Sequence, residues 1–271
     1  MANVRIKAYP DGTRNILVAN AEVWNAPPPV EGQTAPRDAS RTPAQQAKRD
    51  AANAARAMSR ARQRVRDICL CSAMDVFVTL TLDKEKISRY DPVEVVRKTR
   101  KWLDNGVSRG LLRCYCVVPE LHKDGAVHWH GLFRLGTMSL VDSGTVAGIY
   151  EKPARPRSAA QRAEWMAAGG HVVYNLPAWP YGFSTALQLY GEYKRAVGYV
   201  CKYIGKGEGK VGGRWYYSGG EKGEPDVTYI CAEREVFVKA RESENVKAFD
   251  IPNARLSFVD VSESDLTFLG L

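Results

Sequence analysis

The sequence predicts an α+β chain, a ferredoxin-like antiparallel sheet with helices packed on one face. Three observations carry that expectation. Residues 74–82 alternate apolar side chains with threonine, the period of a half-buried strand. Asp91-Pro92-Val93-Glu94 opens a segment with helical apolar spacing, as a capped helix does. Two apolar runs, 114–122 and 127–133, flank Lys123-Asp124-Gly125, which is strong turn chemistry. The order strand, helix, strand, strand and later helix leaves the second face of the sheet open for a ligand.

Taken in order, residues 1–25 alternate like a short hairpin, with Arg5–Tyr9 and Asn15–Val18 on either side of Pro10-Asp11-Gly12. Residues 26–36 are proline-rich and read as a linker. Thr42-Pro43-Ala44-Gln45 has the form of a helix start, with proline in the first turn and Gln45 in the capping-box position. An alanine- and arginine-rich helix then runs to about Arg66. The 74–82 strand follows, and then a helix from Asp91 to Gly106 that buries Val95, Val96, Trp102 and Leu103. After the 114–133 hairpin, residues 153–170 form an inserted loop with a short helix around 160–167. Residues 186–200 lack proline and space Leu187, Leu189, Tyr190, Tyr193 and Val197 like a helix.

Two of the four histidines stand at His128 and His130, one bulky residue apart in an apolar run. On a strand they share a face about 7 Å apart, while Trp129 points the other way. Such a pair is also compatible with two hydrogen-bonded strand histidines. The register of the hairpin bears on the choice. A bulged turn with Gly125 in the left-handed position sets Glu120 opposite His128 and His122 opposite Ala126. A two-residue Asp-Gly turn would place Leu121 there instead, because a one-residue slip reverses every side chain. The bulged register makes chemical sense, since a carboxylate with two imidazoles suits Mg²⁺ or Mn²⁺ better than a closed structural zinc site. His122 is a substitute ligand or a solvated turn residue.

Downstream, Tyr199 and Tyr203 are four apart, as are Lys202 and Lys206, with Gly205 ending the segment. On a helix each pair stacks on one face. A phenol is a usable nucleophile when a cation stabilises the phenolate, and its phosphate ester conserves the energy of a broken phosphodiester. The alternative is an amphipathic helix whose tyrosines pack on the sheet. If one phenol acts alone, Tyr203 is favoured, since exposure is expected where the helix ends.

Together these motifs resemble the HUH endonucleases, specifically the rolling-circle replication initiators of small phages and plasmids. Phe77–Leu82 is similar to that family's first motif, Val127–Phe133 to its histidine motif, and Tyr199–Lys206 to its two-tyrosine nucleophile motif. The resemblance covers roughly residues 60–220, and Gly182-Phe183 and Arg214–Ser218 also resemble stretches of such initiators. It implies an HUH (RRM-like) fold, with Mg²⁺ or Mn²⁺ held by Glu120, His128 and His130. It further implies attack by Tyr199 or Tyr203 to give a 5′-phosphotyrosine. Lys202 and Lys206 would bind flanking phosphates, and Trp215, Tyr216 and Tyr217 would stack on unpaired bases. The implied partners are single-stranded DNA with an origin hairpin, a host helicase and a polymerase, in the cytoplasm of a bacterial host. A transposase or mobilisation relaxase of the same superfamily would share the site. An RRM-like binding protein with structural histidines is the non-catalytic alternative.

Charge points to a polyanionic partner: the formal net charge is +9. Residues 37–67 hold nine basic residues against three acidic, Arg60 and Arg64 among them, and are expected to contact DNA. Residues 232–271 reverse the balance, with eight acidic against five basic. The six cysteines include Cys69/Cys71 and Cys114/Cys116 in or beside apolar strands, which suits buried thiols in a reducing compartment better than a disulfide framework. No signal-peptide pattern or membrane span is evident. The expected divisions are a hairpin and linker (1–36), a basic helix (37–67), the endonuclease domain (68–230) and an acidic segment (231–271).

Overall fold

The computed structural model describes residues 3–19, 42–122, 124–189, 191, 193–206, 209–242, 247–249, 255–261, 267 and 269; the expected linker, 26–36, lies outside them. In chain order the elements are β1 (Val4–Ala8), β2 (Arg14–Ala19), α1 (Pro43–Cys71), β3 (Val76–Leu82), α2 (Pro92–Ser108), β4 (Leu112–Leu121), β5 (Val127–Leu135) and β6 (Val141–Ala147). They continue with α3 (Ala159–Ala167), β7 (His171–Asn175), β8 (Gly182–Gln188), α4 (Tyr193–Tyr203), β9 (Tyr217–Gly220), β10 (Asp226–Ile230), α5 (Arg234–Glu242), β11 (Lys247–Phe249) and β12 (Arg255–Val261). They fall into two units: Asp50–Gly223, and Met1–Arg49 with Glu224–Leu271.

The larger unit is α+β, built on a seven-stranded antiparallel sheet of order β6-β7-β8-β3-β5-β4-β9. On one face Val76, Val78 and Leu80 of β3 join Tyr115, Val117, Trp129 and Phe133, and α2 closes this core with Val95 and Leu103. Asp91 caps α2, its carboxylate accepting from the Val93 and Glu94 amides, a contact worth about 1 kcal/mol.

The other face carries Phe77, Thr79 and Thr81 from β3 and His128 and His130 from β5. It is not left bare, as the sequence reading had it. Cys114, Cys116 and Leu132 on this face are fully buried, and so much apolar surface needs a cover. Helix α4 and the C-terminal part of α1 supply it. The Cys69 thiol is hydrogen-bonded to that of Cys116, and the Tyr193 hydroxyl accepts from the Met74 amide (3.0 Å) and donates to the Cys69 carbonyl. The Arg62 guanidinium holds the Ile204 carbonyl at 2.7 Å. Helices therefore lie on both faces.

Helix α1 starts as its capping box predicts, Thr42 and Gln45 bonding each other's amides. It runs past Arg66 to Cys71 because Val65, Ile68, Cys69 and Leu70 are buried, so Cys69 and Cys71 stand on a helix rather than beside a strand. Residues 186–188, expected in a helix, belong to β8. They pair with β3 from Val76↔Gln188 to Leu82↔Gly182, and the unpaired edge of β3 outweighs local spacing. Helix α4 begins only at Tyr193. Strands β6 and β7 had no counterpart in the sequence reading, whereas α3 falls where the short helix was expected.

The second unit is a five-stranded sheet of order β10-β1-β2-β12-β11. The β1–β2 hairpin has the expected turn, and Val4, Ile16 and Val18 pack with Val236, Ala240 and Leu269. The Asn3 amide side chain clasps Ala232 through two backbone bonds of 2.7 and 2.8 Å. The divisions expected from sequence run differently: β10, assigned there to the endonuclease domain, pairs with β1, and β12 of the acidic segment pairs with β2. An isolated hairpin is marginal in water, and these distant strands complete it. Among the described residues no helix is long and apolar enough to cross a membrane.

Candidate active site

The β4–β5 turn fixes the register on which the site depends. The His122 amide donates to the Ala126 carbonyl (2.9 Å), the Gly125 amide to the His122 carbonyl (2.8 Å), and Gly125 has φ 83°. Asp124 accepts from the Ala126 amide at 3.0 Å. Glu120 thus lies across from His128 and Leu121 across from Val127, the register of the bulged turn.

Strand β5 sets His128 and His130 on one face, and β3 sets a threonine opposite each, Thr81 and Thr79 respectively. The hydroxyls meet the Nδ1 atoms at 3.4 Å (His128) and 3.2 Å (His130), leaving Nε2 as the outer edge of each ring. A hydroxyl both donates and accepts, so it supports either imidazole tautomer. His130 Nε2 lies 2.9 Å from Glu120 Oε2, and the Lys206 ammonium donates to Glu120 Oε1 at 2.8 Å. The His122 ring stacks on His128 with centroids 3.7 Å apart.

Burial pushes His130 down to about 4, so its ring is neutral at pH 7. Burial and then the adjacent His122 lower His128 as well. Partial burial would raise the Glu120 carboxyl, but Lys206 and His130 outweigh it and hold the group below its usual range. Two neutral imidazoles and an ionised carboxylate are a donor set that fits Mg²⁺ or Mn²⁺ in type, and the threonines supply the outer contacts that orient such ligands. Glu120 instead spans His130 and Lys206, and among the described residues no three His, Cys, Asp or Glu side chains form a finished metal-binding group. Cation binding at this place requires Glu120 to turn away from Lys206.

Helix α4 lays the two tyrosines over this cluster. The Tyr203 ring lies flat on His130, with centroids 3.8 Å apart and 11° between planes. Its hydroxyl donates to the Tyr199 oxygen at 2.7 Å. Tyr199 meets Phe77 edge-on at 5.4 Å. The exposures reverse the sequence expectation: Tyr203 is 8 % exposed and Tyr199 46 %. The last turn of α4 is pressed onto β5, so the helix end is its buried part. Burial, then the bond to Tyr199, raises the Tyr203 phenol above its ordinary value. Lys202 lies 6.0 Å from the Tyr199 ring and Lys206 5.0 Å from the Tyr203 ring.

Among the other expected DNA contacts, Arg64 lines a pocket of about 420 Å³ with Lys210, Arg214, Trp215, Tyr216 and Lys222. Arg214 and Trp215 also border a small recess that reaches Tyr203. Arg60 is exposed on α1, outside this pocket. Tyr217 is not available for stacking; it is buried and donates to the Val211 carbonyl at 2.8 Å. Thr79 and Thr81 were read only as strand residues. Their signal was the shared spacing of Thr-x-Thr and His-x-His, which adjacent antiparallel strands can superpose.

Residues 75–208 match the family model described as Replication-associated protein ORF2. No curated protein and no solved structure is matched. The matched segment contains β3, the histidine pair, Glu120 and both tyrosines. The part of the chain that carries this site is similar to the replication-associated proteins of the ORF2 family, and the likeness supports a replication initiator.

Proposed function

We propose that the protein initiates rolling-circle replication by nicking and rejoining single-stranded DNA at an origin through a phosphotyrosine. The observation that carries this reading is the stack of Tyr203 on His130 with its hydroxyl on the Tyr199 oxygen. It sets an exposed phenol one hydrogen bond from the histidine–carboxylate cluster. Tyr199 is the first nucleophile. Its oxygen attacks the scissile phosphorus, the bond to the 3′ oxygen breaks, the phenolic proton is given up and the released 3′ oxygen takes one. The product is a 5′-phosphotyrosine and a free 3′-hydroxyl that primes synthesis. Tyr203 supports the negative charge that develops on Tyr199 through its donated hydrogen bond. It becomes the second nucleophile when the 3′-hydroxyl of the completed round resolves the first link.

Glu120, His128 and His130 would hold Mg²⁺ or Mn²⁺, which supplies positive charge to polarise the phosphate and steady the leaving oxygen. Lys206, once parted from Glu120, and Lys202 contact the flanking phosphates. The cationic pocket of Arg64, Lys210, Arg214 and Lys222 takes the strand on the Tyr203 side.

The test is incubation with Mn²⁺ and labelled single-stranded origin DNA, followed by denaturing electrophoresis. A protein–DNA adduct is expected from the wild type, lost in Tyr199→Phe and retained at reduced yield in Tyr203→Phe. An adduct that persists in the double variant, or none with any origin strand of the parent replicon, refutes the proposal.

A further inference from the structure

The face that bears the histidine site continues from β3 onto β8. Phe77 stands across from Leu187, Thr79 from Thr185 and Thr81 from Phe183, all on one side of the sheet. Phe183 is 70 % exposed. A large aromatic ring so open on an inner strand contributes little to the core, and flat exposed rings on antiparallel sheets are surfaces on which unpaired bases stack. At the other end of the same strip a cleft of about 670 Å³ opens beside the nucleophile. Phe77, Leu187 and Tyr199 form walls, and Glu151, His171 and Arg195 add polar groups. Apolar walls with a carboxylate suit a neutral base, which offers both donors and acceptors at its edge, better than they suit a phosphodiester.

We propose that this strip binds unpaired nucleobases flanking the scissile phosphate, one stacked on Phe183 and another inserted in the cleft beside Tyr199. The occupant is single-stranded DNA. The strip is continuous with the histidine–tyrosine site, the chain carries a net charge of +9, and a paired base has no free face to lay on Phe183. The two sides of α4 then divide the strand: cations toward Tyr203 hold its phosphates, and the cleft toward Tyr199 reads its bases. The assignment of the flanking bases rests on Tyr199 being the nucleophile, whereas binding itself does not require the chemistry.

The test uses the full chain in EDTA with a single-stranded oligonucleotide of about twenty thymidines carrying one 2-aminopurine. Binding is read by anisotropy, and stacking by quenching of the 2-aminopurine. Phe183→Ala is expected to weaken binding about tenfold, the size of one lost stacking contact, and to relieve the quenching. Phe183→Trp keeps both, and duplex DNA distinguishes none of the variants. Ala196→Trp, which fills the cleft from α4, is expected to weaken binding as well. Unchanged binding and quenching in Phe183→Ala overturns the stacking position, and unchanged binding in Ala196→Trp overturns the cleft. Phe183 is exposed, so its removal leaves the fold intact, and a thermal melt verifies this. Adduct formation in Mn²⁺ is scored separately. An adduct with no effect of either variant leaves the nicking reading standing without the base seat, and stacking without any adduct does the reverse.

Discussion

Thr79 and Thr81 touch no substrate, yet their hydroxyls fix how the His130 and His128 rings face the site. Replacing both with valine keeps the shape of β3 and removes only the oxygens. The expected result is a 10- to 100-fold loss of Mn²⁺ affinity, seen by paramagnetic resonance of the free ion, with a melting temperature close to the wild type. His130 makes a second prediction at this scale. Its folded value is about 4 against an ordinary 6.5. As pH falls through 6.5 the unfolded chain takes up this proton and the folded chain does not. The contribution is therefore complete above about pH 6.5 and lost between there and about pH 4. Glu120, held below its ordinary value, loses its share only in more acid solution, below about pH 4.5. In EDTA, His130→Asn is expected to flatten the decline in stability between pH 6.5 and 4 by on the order of 2–3 kcal/mol. Melts across that range check it, and an unchanged slope contradicts it.

At the scale of elements, β5 depends on a missing side chain. A Cβ at Gly131 would come within 2.3 Å of the Cys116 carbonyl oxygen and 2.8 Å of the Val117 Cα, both backbone atoms of β4. Gly131→Ala must push the two strands apart beside His130, at a cost of about 1–3 kcal/mol in urea melts and with a loosened site. The elements also show what the sequence made legible. The alternation of residues 76–82, the Asp91 cap and the Asp124-Gly125 turn act through near neighbours, so β3, α2 and the register of Glu120 against His128 could be read directly. Strand β8 could not. Ala186 faces the core and Leu187 the opposite side because β3 lies alongside, and nothing local in residues 182–188 announces that partner. The exposures of Tyr199 and Tyr203 were hidden for the same reason, since helical spacing shows that two rings share a face but not which end of the helix meets a strand.

Over the whole molecule the excess of positive charge is concentrated where it can meet a strand. If Arg64, Lys210, Arg214 and Lys222 each neutralise one phosphate, the logarithm of the single-strand association constant falls with the logarithm of salt at a slope of about −2.8 from this pocket alone. Arg64→Ala/Arg214→Ala is expected to reduce the measured slope by about 1.4, and an unaltered slope removes the pocket from the DNA path. Basic patterning made Arg64 legible, whereas Lys210, Arg214 and Lys222 join it only through the fold. The smaller unit was the least legible part. Its strands β2 and β12 lie at opposite ends of the sequence, and composition carries no trace of their pairing.

That pairing has a consequence for biosynthesis. Translation proceeds from the amino end, so β1 and β2 leave the ribosome long before β10 and β12 exist. The strands of the larger unit are all contributed by the stretch between them, and this unit can mature on the nascent chain while the early hairpin still waits for its neighbours. Until release, that hairpin carries two unsatisfied edges, and it is the stretch on which a ribosome-associated chaperone would be expected to act.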